Sequence, residues 1–370
     1  MKILYVTTIG KTMRFFTSFI KVLLDEGHQV ELAANETGSP VPECYREWNC
    51  KFHQIGFSRS PLSPDNVKAY GQLKKLIEDG GYDIVHCHTP NASVVTRLVC
   101  RKLRKKTGLK VFYTAHGFHF YKGAPLLNWL VFYPVEKLCS RFTDKLITIN
   151  QEDYQRAKAK FHAGEVCYVP GMGIDLSRFA HVQADRKAKR QEIGVPEDAV
   201  LLLSVGELNE NKNHQIIIRA LAKRNDPNVH YAIAGMGNKR EHLLELAREL
   251  GVSEQVHLLG YRKDVPELND AADVFCFPSL REGLGLASIE AMACGLPLIT
   301  SNVHGINDYS VDGVTGYKCT PTDADAFADA IGKLAEDLTL RKKIGQDNTL
   351  LAGKYEINAI NLRLRTIYGL

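Results

Sequence analysis

Glu282 and Glu290 stand with seven residues between them, two of them glycine, in the stretch 275–301 (FCFPSLREGLGLASIEAMACGLPLITS). Two carboxylates at close quarters suggest acid–base work, but both must then flank one reacting centre at a set separation. Here one lies in a glycine-rich loop, and the other one to two turns into the following helix. A loop leading into a helix N-terminus is a natural anion site, because the first N–H groups there lack intrahelical partners. A second candidate is Lys212 in GELNENKNH, just before a helix and after a strand end, where a cation suits a phosphate. A third is His116, followed by Gly117 at a strand end; imidazole can exchange a proton or donate a hydrogen bond near neutral pH. His86, His88 and His119 lie close in sequence, but strand alternation and the lack of a carboxylate among them predict no metal site.

These groups need a scaffold, and the pattern supplies one. Residues 275–278 read as a buried strand, 286–294 as a helix stopped by Gly295 and Pro297, and 298–300 as the next strand. The chain opens in the same way, with a strand at 3–8, a helix at 13–26 closed by Gly27, and a strand at 29–34. Gly10 stands alone between the first two. The G-x-G-x-x-G fingerprint is missing, which weakens a dinucleotide-dehydrogenase reading, while one glycine still permits close backbone approach. Further strands at 82–88, 110–114, 144–150 and 166–169 complete a first α/β domain. A Gly/Pro break at 170–175 and the charged segment 181–192 read as a linker. A second series begins at strand 200–205 and continues through 229–235 and 256–259. The tail 355–370 is an amphipathic helix with Ile357, Ile360, Leu364 and Ile367 on one side. Two Rossmann-like halves predict a ligand held in a cleft between them.

With 370 residues, 45% hydrophobic and 24% charged, the chain fits two soluble domains. A formal charge of +5 does not point to nucleic acid. Nine scattered cysteines with no C-x-x-C pair predict reduced thiols in a cytoplasmic protein. No signal peptide or spanning segment is expected. Two features still suggest an anionic membrane surface. One is the run Arg97, Arg101, Lys102, Arg104, Lys105, Lys106 and Lys110; the other is the aromatic and aliphatic stretch 125–138, expected to be kinked or interrupted at Pro134.

Taken in order, V-G-E-L-N-E-N-K, A-G-M-G, L-G-Y-R-x-D-V, P-S-x-x-E-G-L-G-L-x-x-x-E-A-M-A-C-G-x-P and D-G-x-T-G-Y, with A-H-G in the first half, resemble the retaining glycosyltransferases of family 4. The wording YTAHGFHFYKG and GELNENKNH is similar to bacterial enzymes that assemble capsular or exopolysaccharide repeat units. The resemblance implies the GT-B fold, an α/β arrangement of two Rossmann-like domains facing across a cleft. Residues 1–175 would bind the acceptor, 176–352 the nucleotide sugar, and 353–370 would form a helix crossing back to the first domain. It also assigns roles. Glu290 would hold the ribose hydroxyls and Glu282 the donor sugar. The N–H groups of Leu284, Gly285 and Leu286 would cradle the β-phosphate, and Lys212 would neutralise the leaving diphosphate, with Gly10 giving room. Gly235 and the segment 260–265, including Tyr261, Arg262 and Val265, would receive the nucleotide, and His116 would lie at the donor sugar. Glu207 departs from the pattern, since the family usually has Arg there; it is expected to turn aside while Lys11 or Arg262 adds charge.

The implied activity is transfer of a hexosyl or N-acetylhexosaminyl unit from a UDP-sugar to a polyprenyl-diphosphate-linked glycan, without a metal or other cofactor. The enzyme would work in the cytoplasm, peripherally on the inner membrane face. The alternatives are a GDP-sugar-dependent transferase, a sugar-nucleotide epimerase, a non-catalytic nucleotide-sugar binder, and a glycoside hydrolase using the two glutamates.

Overall fold

Continuous runs such as ILYV at 3–6 and LLLS at 201–204 are buried on both faces, as parallel strands covered by helices must be. The computed structural model describes residues 1–179, 182 and 184–370. In the first sheet the strands are β1 (Lys2–Ile9), β2 (Gln29–Asn35), β3 (Lys51–Gln54), β4 (Ile84–His88), β5 (Lys110–Ala115), β6 (Lys145–Thr148) and β7 (Glu165–Tyr168). They lie in the order β3-β2-β1-β4-β5-β6-β7. The second sheet has β8 (Val200–Val205), β9 (Val229–Ala234), β10 (Val256–Gly260), β11 (Val274–Phe277), β12 (Leu298–Ser301) and β13 (Gly316–Cys319), in the order β10-β9-β8-β11-β12-β13. Every pairing within these sheets is parallel. The strand order reverses between β1 and β4 and again between β8 and β11. In such sheets ligands sit beyond the carboxyl ends at the reversal point.

The chain forms two units, Met1–Gly173 with Ile357–Leu370, and Ile174–Glu356. The helix Ile357–Tyr368 belongs to the first because Ile360, Leu364 and Tyr368 fill a core shared with Tyr5, Phe19 and Phe112. Asn361 Nδ2 also donates to Ser18 Oγ at 2.8 Å.

Several expectations need correction. The first helix is split, a 3-10 segment at Gly10–Phe16 preceding the α-helix Thr17–Asp25. A Cβ on Gly10 would lie 2.4 Å from the Ser39 carbonyl oxygen, so the backbone entering this segment is pressed against the loop after β2. The helix Leu126–Ser140 runs through Pro134 without interruption. The segment read as a linker is mostly part of the second unit, with His181 and Gln183 outside the described residues. Its helix Arg186–Glu192 is anchored by buried Arg190, which binds Asp273 at 2.6 Å and three backbone carbonyls.

The basic run is corrected most sharply. Arg97 is fully buried, paired with Glu136 at 2.8 Å, bonded to Ser93, and stacked over the Tyr113 ring. Arg104 binds Asp144 and the Arg141 carbonyl. The sequence run hides both acids, because they lie on other elements. Only Arg101, Lys102, Lys105, Lys106 and Lys110 remain exposed.

Candidate active site

At the β8/β11 reversal the loop after β8 is folded onto the loop after β11 by asparagines. Asn211 Nδ2 donates to the Arg281 carbonyl at 3.0 Å, and the Leu280 N–H returns a bond to the Asn211 carbonyl at 2.7 Å. Asn213, in the left-handed region at φ 53°, spans the Pro278 and Pro321 carbonyls. This stitching places Lys212 Nζ 2.5 Å from Glu282 Oε1 and 4.6 Å from the centre of the Phe277 ring. Both partners are mostly shielded from water, so their attraction exceeds that of a surface pair. Glu207, by contrast, is exposed, and its carboxylate makes no ion pair among the described residues.

The helix Leu286–Ala293 starts beside this pair. Its N-cap is Gly285 at φ 94°, a conformation that favours glycine, and no side chain caps it. No side chain among the described residues accepts from its leading N–H groups, and the macrodipole adds positive potential there. Glu290 lies further along the helix. Burial raises its pKa above the usual carboxylate range, and the positive charge of Arg178 partly opposes this. Gly235 follows β9, where a Cβ would overlap the Gly206 carbonyl oxygen at 1.8 Å. Beyond β10, Tyr261 is exposed, and Val265 opens the helix Val265–Ala271. Arg262 is held by Asp264 at 2.8 and 2.5 Å and by Glu192 at 2.5 Å.

The first unit places a different set of groups at its reversal point. Gly10 follows β1, His88 ends β4, and His116 follows β5. His88 Nδ1 and His116 Nε2 share a hydrogen bond of 3.1 Å. Phe16 stacks on His88 with centroids 4.0 Å apart, and His86 lies 4.2 Å from His88 on its own strand. His86 is satisfied on both nitrogens, by Tyr368 Oη at 2.5 Å and Thr114 Oγ1 at 2.8 Å. Desolvation drives all three imidazoles toward the neutral form, with His116 pushed down to about 4, His86 to about 3 and His88 well below its ordinary value.

The structure thus brings Lys212, Glu282, Leu284, Gly285 and Leu286 together within the second unit, with Glu207 on the same β8 loop but turned to solvent. Gly10 and His116 belong to the first unit. Sequence reasoning missed His88, Asn211, Asn213, Phe277 and Arg281. The repeated asparagines of NENKNH were the available signal. Arg281 is half-buried and forms no ion pair among the described residues.

The family model for "Glycosyl transferases group 1" matches residues 185–350, and that for "Glycosyltransferase Family 4" matches residues 14–178. EpsD of Bacillus subtilis (strain 168), named as a glycosyltransferase, is 39% identical over 96% of this chain and 92% of its own. The chain belongs to glycosyltransferase family 4. This glycosyltransferase is also 28% identical to the UDP-Gal:alpha-D-GlcNAc-diphosphoundecaprenol alpha-1,3-galactosyltransferase of Escherichia coli, over 86% of this chain and 83% of that one. Among solved structures it superposes on Anabaena Alr3699/HepE in complex with UDP (TM-score 0.80, 22% identity, all of both chains). It also superposes on WaaG, a glycosyltransferase involved in lipopolysaccharide biosynthesis (TM-score 0.76, 20% identity, 99% of both chains). The glycosyltransferase has the GT-B fold of these neighbours. Its nine cysteines are all free thiols, and no helix among the described residues is long and apolar enough to cross a membrane.

Proposed function

We propose that this glycosyltransferase moves a hexosyl or N-acetylhexosaminyl unit from a UDP-sugar to a polyprenyl-diphosphate-linked glycan during surface polysaccharide assembly. The observation that carries the donor reading is the Lys212–Glu282 pair beside the uncapped helix at Gly285. As the glycosidic bond to the donor breaks, negative charge collects on the diphosphate and the sugar becomes oxocarbenium-like. A cation and helix N–H groups aimed at that oxyanion lower the barrier more than a base would. A diphosphate competes with Glu282 for Lys212 and releases the carboxylate to the sugar hydroxyls. Arg262 is already committed to Asp264 and Glu192, so Arg281, next to Glu282, takes the role of second cation in its place. Glu290 binds the ribose. Attack comes on the face the diphosphate leaves, with retention and without a metal. The undecaprenyl-linked acceptor of the E. coli relative and the UDP bound in the HepE structure support the acceptor and donor classes.

Acceptor delivery involves the first unit. Leu126, Leu127, Leu130, Val131, Val135 and Leu138 are exposed on the helix Leu126–Ser140. This helix is joined through Arg97–Glu136 to the helix Pro90–Thr107, which carries exposed cations. An apolar face beside cations suits an anionic membrane surface.

The deciding assay measures nucleoside diphosphate release from a panel of UDP- and GDP-sugars, with and without a polyprenyl-diphosphate glycan. Release from a UDP-sugar that depends on the acceptor, persists in EDTA and yields a product of unchanged anomeric configuration is expected. Conversion of donor into an epimer without acceptor would sink the transferase reading; turnover confined to GDP-sugars would overturn the base assignment.

A further inference from the structure

The imidazole pair at the carboxyl edge of the first sheet carries an inference about proton placement, which rests on the reading of His116 at the donor sugar. We propose that His88 is a positioning residue whose Nδ1–H donates to His116 Nε2, holding the His116 proton on Nδ1 and making His116 a neutral hydrogen-bond donor toward the substrate.

Four observations lead there. His88 ends β4 opposite Thr114 of β5, His116 follows β5 two residues further on, and the 3.1 Å contact joins one nitrogen of each ring. The rings packed on the pair are Tyr5, Phe16 and His86, and His86 is held in turn by Tyr368 and Thr114, with no carboxylate among these groups. Burial therefore leaves both rings neutral, each with a single proton. Finally, His88 Nε2 is buried without a hydrogen-bond partner among the described residues. Had His88 accepted from His116, its own proton would sit on Nε2 as a buried donor with nothing to receive it. Had His88 donated, Nε2 would be a bare acceptor. Orphaned buried N–H groups are rarer than under-used acceptors, so donation by Nδ1 is the favoured arrangement.

The consequence is chemical. His116 Nε2 is occupied as an acceptor, so the proton on Nδ1 is the one His116 offers. No partner claims that nitrogen among the described residues. His116 then stabilises oxygen by donation and does not act as a general base through Nε2. Tyr368 and Thr114 hold His86 on both sides, which keeps the stack around His88 from rotating.

Long-range 1H–15N correlation of the imidazole nitrogens, with His116 identified by its absence in His116→Gln, reads the tautomer directly and needs no turnover. A pyrrole-type Nδ1 and pyridine-type Nε2 on His116 are expected at neutral pH. A protonated Nε2, or a doubly protonated ring, would overturn the proposal whether or not the protein transfers sugar. His88→Asp presents only an acceptor and should move the His116 proton to Nε2. It should lower kcat by roughly 10²-fold while UDP affinity stays within about twofold of wild type, since UDP is read by the other unit. His88→Asn returns an N–H near the Nδ1 position and should restore both the Nδ1 tautomer and most of the turnover lost in His88→Asp. A flipped tautomer in His88→Asp with undiminished kcat would also overturn it.

Discussion

The two sheets have the same strand order through six strands, yet their reversal points carry opposite kinds of chemistry. The second unit gathers charge: a lysine–glutamate pair, a helix N-terminus and a carboxylate whose pKa burial has raised. The first gathers stacked imidazoles and hydroxyls that burial keeps neutral, and puts its buried ion pair, Arg97–Glu136, between two helices. In the proposed reaction a leaving diphosphate needs charge, whereas a neutral sugar needs hydrogen bonds, so one scaffold would serve both demands by what its strand ends carry. The scaffold sets where ligands sit; the loops set what they are.

The comparison can be broken at its strongest point first. Removing charge from the second unit should cost most: Lys212→Ala and Glu282→Ala are each expected to lower kcat/KM by roughly 10²- to 10³-fold with little change in thermal unfolding. Lys212→Ala should also weaken UDP binding by roughly 10- to 100-fold. A UDP dissociation constant unchanged in Lys212→Ala would remove the charged edge from the argument.

A smaller effect separates the two edges by pH. In the role proposed for Glu290 the ribose hydroxyls donate to its carboxylate, and its raised pKa means that this form appears only as pH climbs past the usual carboxylate range. UDP affinity should therefore rise with pH from acid toward neutral, and Glu290→Gln should flatten that limb. The stacked imidazoles His86, His88 and His116 stay neutral, His116 above about 4, so this stack adds no limb near neutrality. A steep acid limb surviving in Glu290→Gln would assign it elsewhere.

Membrane contact sharpens the picture of the first unit. Replacing Arg101, Lys102, Lys105 and Lys106 by Gln should weaken partitioning onto anionic vesicles, read by cosedimentation, by up to about 10³-fold, at about 1 kcal/mol for each cation near the surface. Arg97 is left out of that set, because breaking its buried pair would cost about 3–5 kcal/mol of stability. The smallest change is expected from Glu207→Arg, which should improve UDP affinity by no more than about fivefold. A fall in affinity would show that the exposed carboxylate has a use.

Much of this molecule was legible because local rules dominate it. Buried parallel strands announce themselves as apolar runs, glycines mark close approaches at Gly10 and Gly235, and the ordered motifs named the family. The positions of Glu282, Lys212, Gly285 and Glu290 relative to their own strands and helices followed from the same rules. What a run of letters could not convey was who meets whom. Arg97 reads as one more surface cation until Glu136, 39 positions later, arrives beside it in the fold. Arg262 reads as a spare positive charge until Asp264 and Glu192 claim it. His88 reads as a strand residue until the sheet sets it 3.1 Å from His116. Sequence by itself determined the architecture and the types of group at each strand end, since periodicity and turn chemistry are short-range. Only the tertiary structure decided the burial and the pairing of those groups, because these depend on partners brought from far along the chain.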